Sequence, residues 1–358
     1  MTTINKNKPV LVTGANGYVA GWLVKKLLEE GCTVHAAVRD PENQEKVSHL
    51  HELAEEHAGT IRFFQTDLLD EGSYAEAMQG CELVFHTASP FTSDYTDPQR
   101  DLVDPAVLGT QNVLNQATRT STVKRIVLTS SCAAIYTDCT DLDITPGKVF
   151  TEGVWNSTAS LDYQPYSYSK TLAEKKAWDI AKQQEQWDLV VINPALVMGP
   201  PLNPKATTSE SFTILKQLGD GSMKGGVPDI GLGVVDVRDV AVAHYRAGFI
   251  PEAEGRHITC GHNTSLLELA LALRSKFGDK YHIPNRALPK WLITLVGPIM
   301  DKSISRRFLK NNVDCPWRAD NTKSKEALGV TYRPLQETME DAFQSLIDSG
   351  IFVEKQAA

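Results

Sequence analysis

Val10-Leu11-Val12-Thr13-Gly14-Ala15-Asn16-Gly17-Tyr18-Val19-Ala20-Gly21 is the stretch that decides the fold. A β-branched run leads into it. An amphipathic pattern leads out, with Val19, Trp22, Leu23, Lys26 and Leu27 at helical spacing, and Gly31 follows as a stop. Strand, glycine loop and helix in that order form the setting in which such a loop binds a dinucleotide. Gly14 permits the tight turn, and Gly17 lets the backbone approach a pyrophosphate where a β-carbon has no room. The helix beyond offers free N–H groups and a positive dipole end to phosphates. Ala20 stands where a third glycine is common and is small enough for close helix–strand packing.

Outward from this loop, residues 33–38, 61–65, 83–86 and 125–130 read as strands, separated by helix-compatible segments that include a polar helix over 42–56. A helix over 166–182 leads into a further strand at 189–193. Such alternation predicts an α/β protein with a doubly wound parallel sheet. Pro194, Pro200, Pro201 and Pro204 then break the pattern. Residues 1–197 are thus expected to be mainly the dinucleotide-binding domain, with 234–250 returning to it. Residues 198–233 and 251–358 are expected to form a smaller C-terminal substrate lobe, with short helices over 266–277, 289–296 and 335–348.

The end of the second strand bears on the cofactor. NAD sites place an acidic residue there for the ribose hydroxyls, and NADP sites use an arginine for the 2′-phosphate. Here the order is Val38-Arg39-Asp40, with Lys46 further on. A guanidinium grips a phosphate through two parallel bonds. The reading is therefore NADPH/NADP+, against the plainer one of a solvated Arg39 beside a helix-capping Asp40.

Tyr166-Ser-Tyr-Ser-Lys170 lies in a helical segment, where residues four apart share a face. A free tyrosine titrates near pH ~10. A nearby ammonium is expected to lower that value and fit Tyr166 for acid–base work. The third polar group should come from a strand end near the cofactor, where Ser130 and Ser131 both stand. Phe91 and Tyr136 follow turns beside this region and are expected to face the substrate skeleton. His51-Glu52 starts like a zinc-protease motif, but Glu55 stands where the second histidine belongs, so His49, His51 and His57 read as a solvated helix face.

Composition narrows the partners. With 36 basic and 44 acidic residues the formal net charge is −8. That disfavours nucleic acid and anionic membranes. Six cysteines without a Cys-x-x-Cys pair read as reduced and mostly buried. The opening MTTINKNKPVLVTG holds no apolar signal core. The apolar run over 291–300 is too short to span a bilayer, which takes roughly 20 residues. The expectation is a cytoplasmic monomer or homodimer acting on a small carbonyl compound.

The ordered set VTGANGYVAGWLVKKLLEEG, AAVRDPENQEKV, TDLLDEGSY, VFHTASPF, VKRIVLTSS, YSYSKTLAEKKAW, INPALVMGP and VVDVRDVAVAHYRA resembles the extended short-chain dehydrogenase/reductase family. Within it the likeness is to the branch of dihydroflavonol reductase, cinnamoyl-CoA reductase and yeast-type aldehyde (methylglyoxal) reductase. The resemblance spans nearly the whole chain and implies a Rossmann fold that reduces a ketone or aldehyde with NADPH. It further implies that Gly14, Asn16, Gly17, Tyr18 and Val19 line the pyrophosphate. Arg39 and Lys46 would hold the 2′-phosphate, and Asp67 and Leu68 would contact the adenine. Thr87, Ala88 and Ser89 would flank the ribose and nicotinamide, with Pro194 and Val197 bordering the nicotinamide. Ser131, Tyr166 and Lys170 would form the catalytic triad, with Tyr166 and Lys170 also touching the cofactor. Residues 136–163 do not match the plant enzymes, so no flavonoid substrate is implied. The alternatives are an NAD-dependent nucleotide-sugar epimerase or dehydratase, against which Arg39 argues, and a non-catalytic dinucleotide sensor, against which the tyrosine and lysine argue.

Overall fold

The computed structural model describes residues 1–89, 95–207, 209–300 and 305–352, the side chains of 298–300 excepted. Seven parallel strands form the main sheet. They are β1 (Val10–Thr13), β2 (Thr33–Val38), β3 (Thr60–Gln65), β4 (Leu83–His86), β5 (Arg125–Thr129), β6 (Asp188–Pro194) and β9 (Gly255–Thr259), in the order β3-β2-β1-β4-β5-β6-β9. The order reverses between β1 and β4, and in such sheets ligands bind in the crevice at that point, outside the carboxyl ends of the strands. β1 and β4 are buried throughout, as a sheet covered on both faces requires.

Helices α1 (Tyr18–Glu29), α2 (Gln44–Glu56) and α6 (Val237–Phe249) cover one face. Leu23, Val24, Leu27, Val47, Leu50 and Ala243 join the undersides of β1 and β2 in one apolar core. Helices α3 (Asp104–Arg119) and α4 (Pro165–Ala181) cover the other, where Val113, Leu114, Ala177 and Ile180 meet Leu11, Val84, Ile126 and Val191. Fully burying one such aliphatic side chain stabilises the fold by about 1.5–3 kcal/mol. Arg125, 1 % exposed, binds the Asp188 carboxylate with two nitrogens (2.8 and 2.9 Å) and donates to the carbonyls of Ala247, Ile250 and Pro251. It thereby pins the bottom of β5 to β6 and to the end of α6.

A second sheet, ordered β10-β8-β7, is built from β7 (Leu196–Met198), β8 (Gly231–Asp236) and β10 (His262–Ser265). With α5 (Glu210–Gly219), α7 (Leu266–Phe277) and α11 (Leu335–Asp348) it encloses the lobe core, which centres on Met198, Leu215, Leu273, Met339 and Phe343. Among the described residues the chain also forms α8 (Lys290–Met300), α9 (Arg306–Asn312) and α10 (Thr322–Ala327). Among the described residues no helix is long and apolar enough to cross a membrane.

The structure departs from the sequence reading in three places. Within residues 251–358, expected to be mainly lobe, β9 joins the main sheet beside β6, and Leu328 and Val330 pack into the α1–α6 core. Gly255-Arg-His-Ile-Thr259 hides its strand character because buried polar residues interrupt it. The connection from β3 to β4 is a run of turns, not a helix, and Gly72 and Gly80 sit in it at φ 87° and 74°. His49 is half-buried and not on a fully solvated face. It faces Gly21 of α1, and its Nδ1 lies 3.4 Å from the Asn203 amide nitrogen.

Candidate active site

Parallel strands end on one edge of a sheet, so the residues just past β1, β2, β3, β4, β5 and β6 gather there without regard to their distance in sequence. Gly14 follows β1 with φ 61°, and a β-carbon on it would lie 3.0 Å from the Ala88 Cβ after β4. Gly17 is the exposed N-cap of α1 and makes no side-chain cap. A β-carbon there would lie 3.1 Å from the Gly14 carbonyl oxygen. The cradle is thus bare backbone at the start of a helix whose first N–H groups have no intrahelical acceptor. Asn16 and Val19 flank it, both partly exposed. The Tyr18 hydroxyl donates to the Gly199 carbonyl (2.8 Å) and its ring meets Phe212 at 5.0 Å. Its side chain is therefore held by the lobe, and only its backbone is left to the cradle.

Thr13 ties β1 to β4. Its hydroxyl oxygen accepts from the amides of Thr87 (3.1 Å) and Ala88 (3.0 Å), so its proton goes to Nδ1 of His86 (2.9 Å). His86 then carries its own proton on Nε2, and burial pushes its pKa down to about 3. The Thr87 hydroxyl donates back to the Thr13 carbonyl.

Arg39 follows β2 and Lys46 opens α2, and both are exposed. Asp67 follows β3, exposed, with Oδ1 accepting from the Leu69 amide (2.8 Å). The Leu68 carbonyl is fixed by Asn112 (2.8 Å). Pro194 ends β6, and Val197 lies in β7 with its carbonyl accepting from Ser211.

Ser131 follows β5 and caps the short turn over 132–134, its oxygen accepting from the Ala133 amide (3.1 Å). It also hydrogen-bonds the Tyr166 phenol. Tyr166 stands in the first turn of α4, behind Pro165 at the helix start. Lys170, one turn on, donates to Ser89 (2.7 Å) and holds its ammonium 5.7 Å from the centre of the Tyr166 ring. The structure therefore brings Ser131, Tyr166, Lys170 and Ser89 together from three elements. Ser130 points the other way, into the interior, where it donates to Glu174 (2.6 Å).

The electrostatics differ from the sequence expectation. Burial pushes the Tyr166 phenol up to about 12, opposed only by the Ser131 hydroxyl, and pushes Lys170 down to about 8. The ammonium does not hold the phenol low. Tyr166 keeps its proton at neutral pH, the state a proton donor needs.

Tyr136 is half-buried. It stacks on Phe150 (4.8 Å) and meets Trp317 edge-on (5.5 Å) within a packed cluster. Phe91 lies outside the described residues. All six cysteines are free, and only Cys315 is other than buried. Sequence reasoning gave no role to Glu174, Asn193 or Arg256, which lie buried directly behind the serine and tyrosine. The one available signal was the spacing of Glu174, four residues past Lys170 and so on the same helix face.

Residues 10–261 match the family model described as "NAD dependent epimerase/dehydratase family". A cinnamoyl-CoA reductase of Medicago truncatula is 38 % identical over 354 residues, which is 97 % of this chain and 98 % of the relative. An anthocyanidin reductase of Vitis vinifera is 38 % identical over 287 residues, covering 77 % of this chain and 83 % of its own. The crystal structure of yeast methylglyoxal/isovaleraldehyde reductase Gre2 complexed with NADPH superposes with a TM-score of 0.74 at 28 % identity, over 96 % of this chain and all of the other. The chain therefore belongs to the NAD dependent epimerase/dehydratase family, as an extended short-chain dehydrogenase/reductase.

Proposed function

We propose that Ser131, Tyr166 and Lys170 carry out the NADPH-dependent reduction of a ketone or aldehyde to an alcohol. The observation that carries this reading is the hydrogen bond from Ser131 to a protonated Tyr166, with Lys170 one turn on and the glycine cradle on the same sheet edge. The relatives named above are reductases, and one of them holds NADPH.

The residues fit the cofactor, because Gly14 and Gly17 leave bare backbone at the start of α1 where a β-carbon would crowd Ala88 or the Gly14 carbonyl. Gly14, Asn16, Gly17 and the first turn of α1 would hold the diphosphate, and Arg39 and Lys46 the 2′-phosphate. Asp67 and Leu68 would lie against the adenine. Thr87, Ala88, Ser89, Pro194 and Val197 would border the nicotinamide end. Bound there, NADPH supplies the hydride. The chain supplies orientation and a polarised oxygen site. Ser131 and Tyr166 donate hydrogen bonds to the carbonyl oxygen and stabilise the negative charge that develops on it. Tyr166 gives up its proton as the alkoxide forms. Lys170 would hold the ribose side through its ammonium.

The test is NADPH consumption by the purified protein over aldehydes, diketones, 2-oxo esters and flavanonols. The reading expects turnover with NADPH at lower KM than with NADH, and no nicotinamide retained through purification. Tightly retained NAD with no net consumption would favour the epimerase or dehydratase chemistry of the wider family. Binding of NADPH without turnover on any carbonyl would favour a sensor.

A further inference from the structure

Directly behind the serine and tyrosine lies a charged pair that the reaction itself does not use. The Glu174 side chain is 0 % exposed and that of Arg256 6 %. Arg256 Nε lies 2.7 Å from Glu174 Oε1, and a second nitrogen lies 3.3 Å from Oε2. Ser130 donates to Oε2 at 2.6 Å, and the Asn193 amide donates to it at 2.8 Å. The same Asn193 nitrogen reaches the Ser131 carbonyl at 3.2 Å. The Trp178 indole adds a 3.3 Å bond to Oε1. One carboxylate on α4 thus joins the ends of β5, β6 and β9. Those are the elements that place Ser131 relative to Tyr166.

Burying two charges is costly, and that cost is offset only where geometry and hydrogen bonds are good. An apolar pair would fill the same space without it. A second cost points the same way. Asn193 is fully buried, and its Oδ1 has no partner because its amide is turned toward Glu174 and the Ser131 carbonyl. Arg256 also donates to the carbonyls of Glu152 (2.9 Å) and Val154 (2.6 Å) and stacks on Trp155 at 4.0 Å. The segment over 136–163 that leads into Tyr166 is anchored to the same pair.

We infer that Glu174, clamped by Arg256, is a positioning residue that fixes the Ser131 strand end against the helix carrying Tyr166 and Lys170. This rests on the assignment of Ser131, Tyr166 and Lys170 proposed above. The carboxylate touches no reacting atom. It acts by holding the serine to phenol distance within hydrogen-bond range, and displacement of about 1 Å at such a site can cost about 10²-fold in rate.

The test compares Glu174→Gln, Ser130→Ala and Arg256→Met with the parent chain. Sites are counted by NADPH fluorescence titration, so that unfolded protein drops out of the rate. Glu174→Gln is expected to lower kcat per NADPH-binding site by about 10- to 100-fold. KM for NADPH should stay within about twofold, and the deuterium isotope effect from 4-deuterated NADPH should rise as transfer becomes rate-limiting. Combining Glu174→Gln with Arg256→Met should be no slower per site than the worse single change, because the pair acts as one unit. If Glu174→Gln does not fold, Ser130→Ala carries the test, with the same direction of effect at smaller size. An unchanged kcat per site with only a lower melting temperature overturns the inference and leaves the pair a structural one. Tyr166→Phe run alongside separates the two readings. Full turnover in that variant sinks the triad itself, whereas loss of turnover there with a normal Glu174→Gln sinks only the positioning role.

Discussion

Burial around Tyr166 and Lys170 moves the two groups in opposite directions, the phenol up to about 12 and the ammonium down to about 8. At pH 7 both hold their protons. The first to let go as pH rises is Lys170, and Tyr166 stays protonated well beyond it. The kcat/KM for NADPH, which reports the free enzyme, is therefore expected to fall above pH about 8, approaching tenfold per unit. A profile flat to pH 10 would mean that the lysine is not desolvated as described. At this scale the sequence was partly legible. The spacing of Tyr166 and Lys170 announces their contact, since helical geometry alone brings residues four apart together. Their burial is not legible, because it is set by elements far away in sequence. The same holds for Glu174 and Arg256, which are 82 residues apart and meet only because β9 lies beside β6.

The glycine loop is the element on which the cofactor reading turns. Gly14 combines a left-handed backbone with a β-carbon position 3.0 Å from Ala88. Gly14→Ala is expected to cost about 1–2 kcal/mol in stability from the backbone alone. It should also weaken NADPH binding by at least tenfold, as calorimetric titration would measure, because the β4 end must shift away. Wild-type affinity in this variant would show that the loop does not carry the diphosphate. Elements such as β1, β2 and β4 were readable to the residue because each is a short run rich in β-branched and apolar residues between turn signals. β9 was missed because its arginine, histidine and threonine are buried, with the arginine paired to Glu174 and not turned to water. Periodicity sees hydrophobicity, not partnership.

Across the whole molecule, histidines set the response to acid. Burial pushes His86 down to about 3 and both His244 and His257 down to about 4, from an ordinary value of 6.5. His244 is locked neutral by its contacts, bonding the Val240 carbonyl through Nδ1 and the Thr129 hydroxyl through Nε2. Below pH 6.5 the unfolded chain takes up protons that the fold refuses, so stability falls as pH falls. Each such group costs up to about 1.4 kcal/mol per pH unit over that window. The melting temperature is expected to drop between pH 6.5 and 4.5, and His244→Gln should shallow the slope. A melting temperature constant over that range would contradict the burial of these side chains. The parallel sheet was foreseeable from strand–helix alternation. The sheet that each late strand joins was not, since it depends on pairing partners far away in sequence.

Carbonyl reduction by this chain requires Tyr166 to give its proton to the reduced substrate, and single-turnover NADPH oxidation by Tyr166→Phe is the sharpest test of that role. With a carbonyl substrate at saturation, the rate of absorbance loss at the nicotinamide band is expected to fall by about 10²–10⁴-fold, while the affinity for NADPH stays as in the parent chain. A variant that oxidises NADPH as fast as the parent would contradict the account.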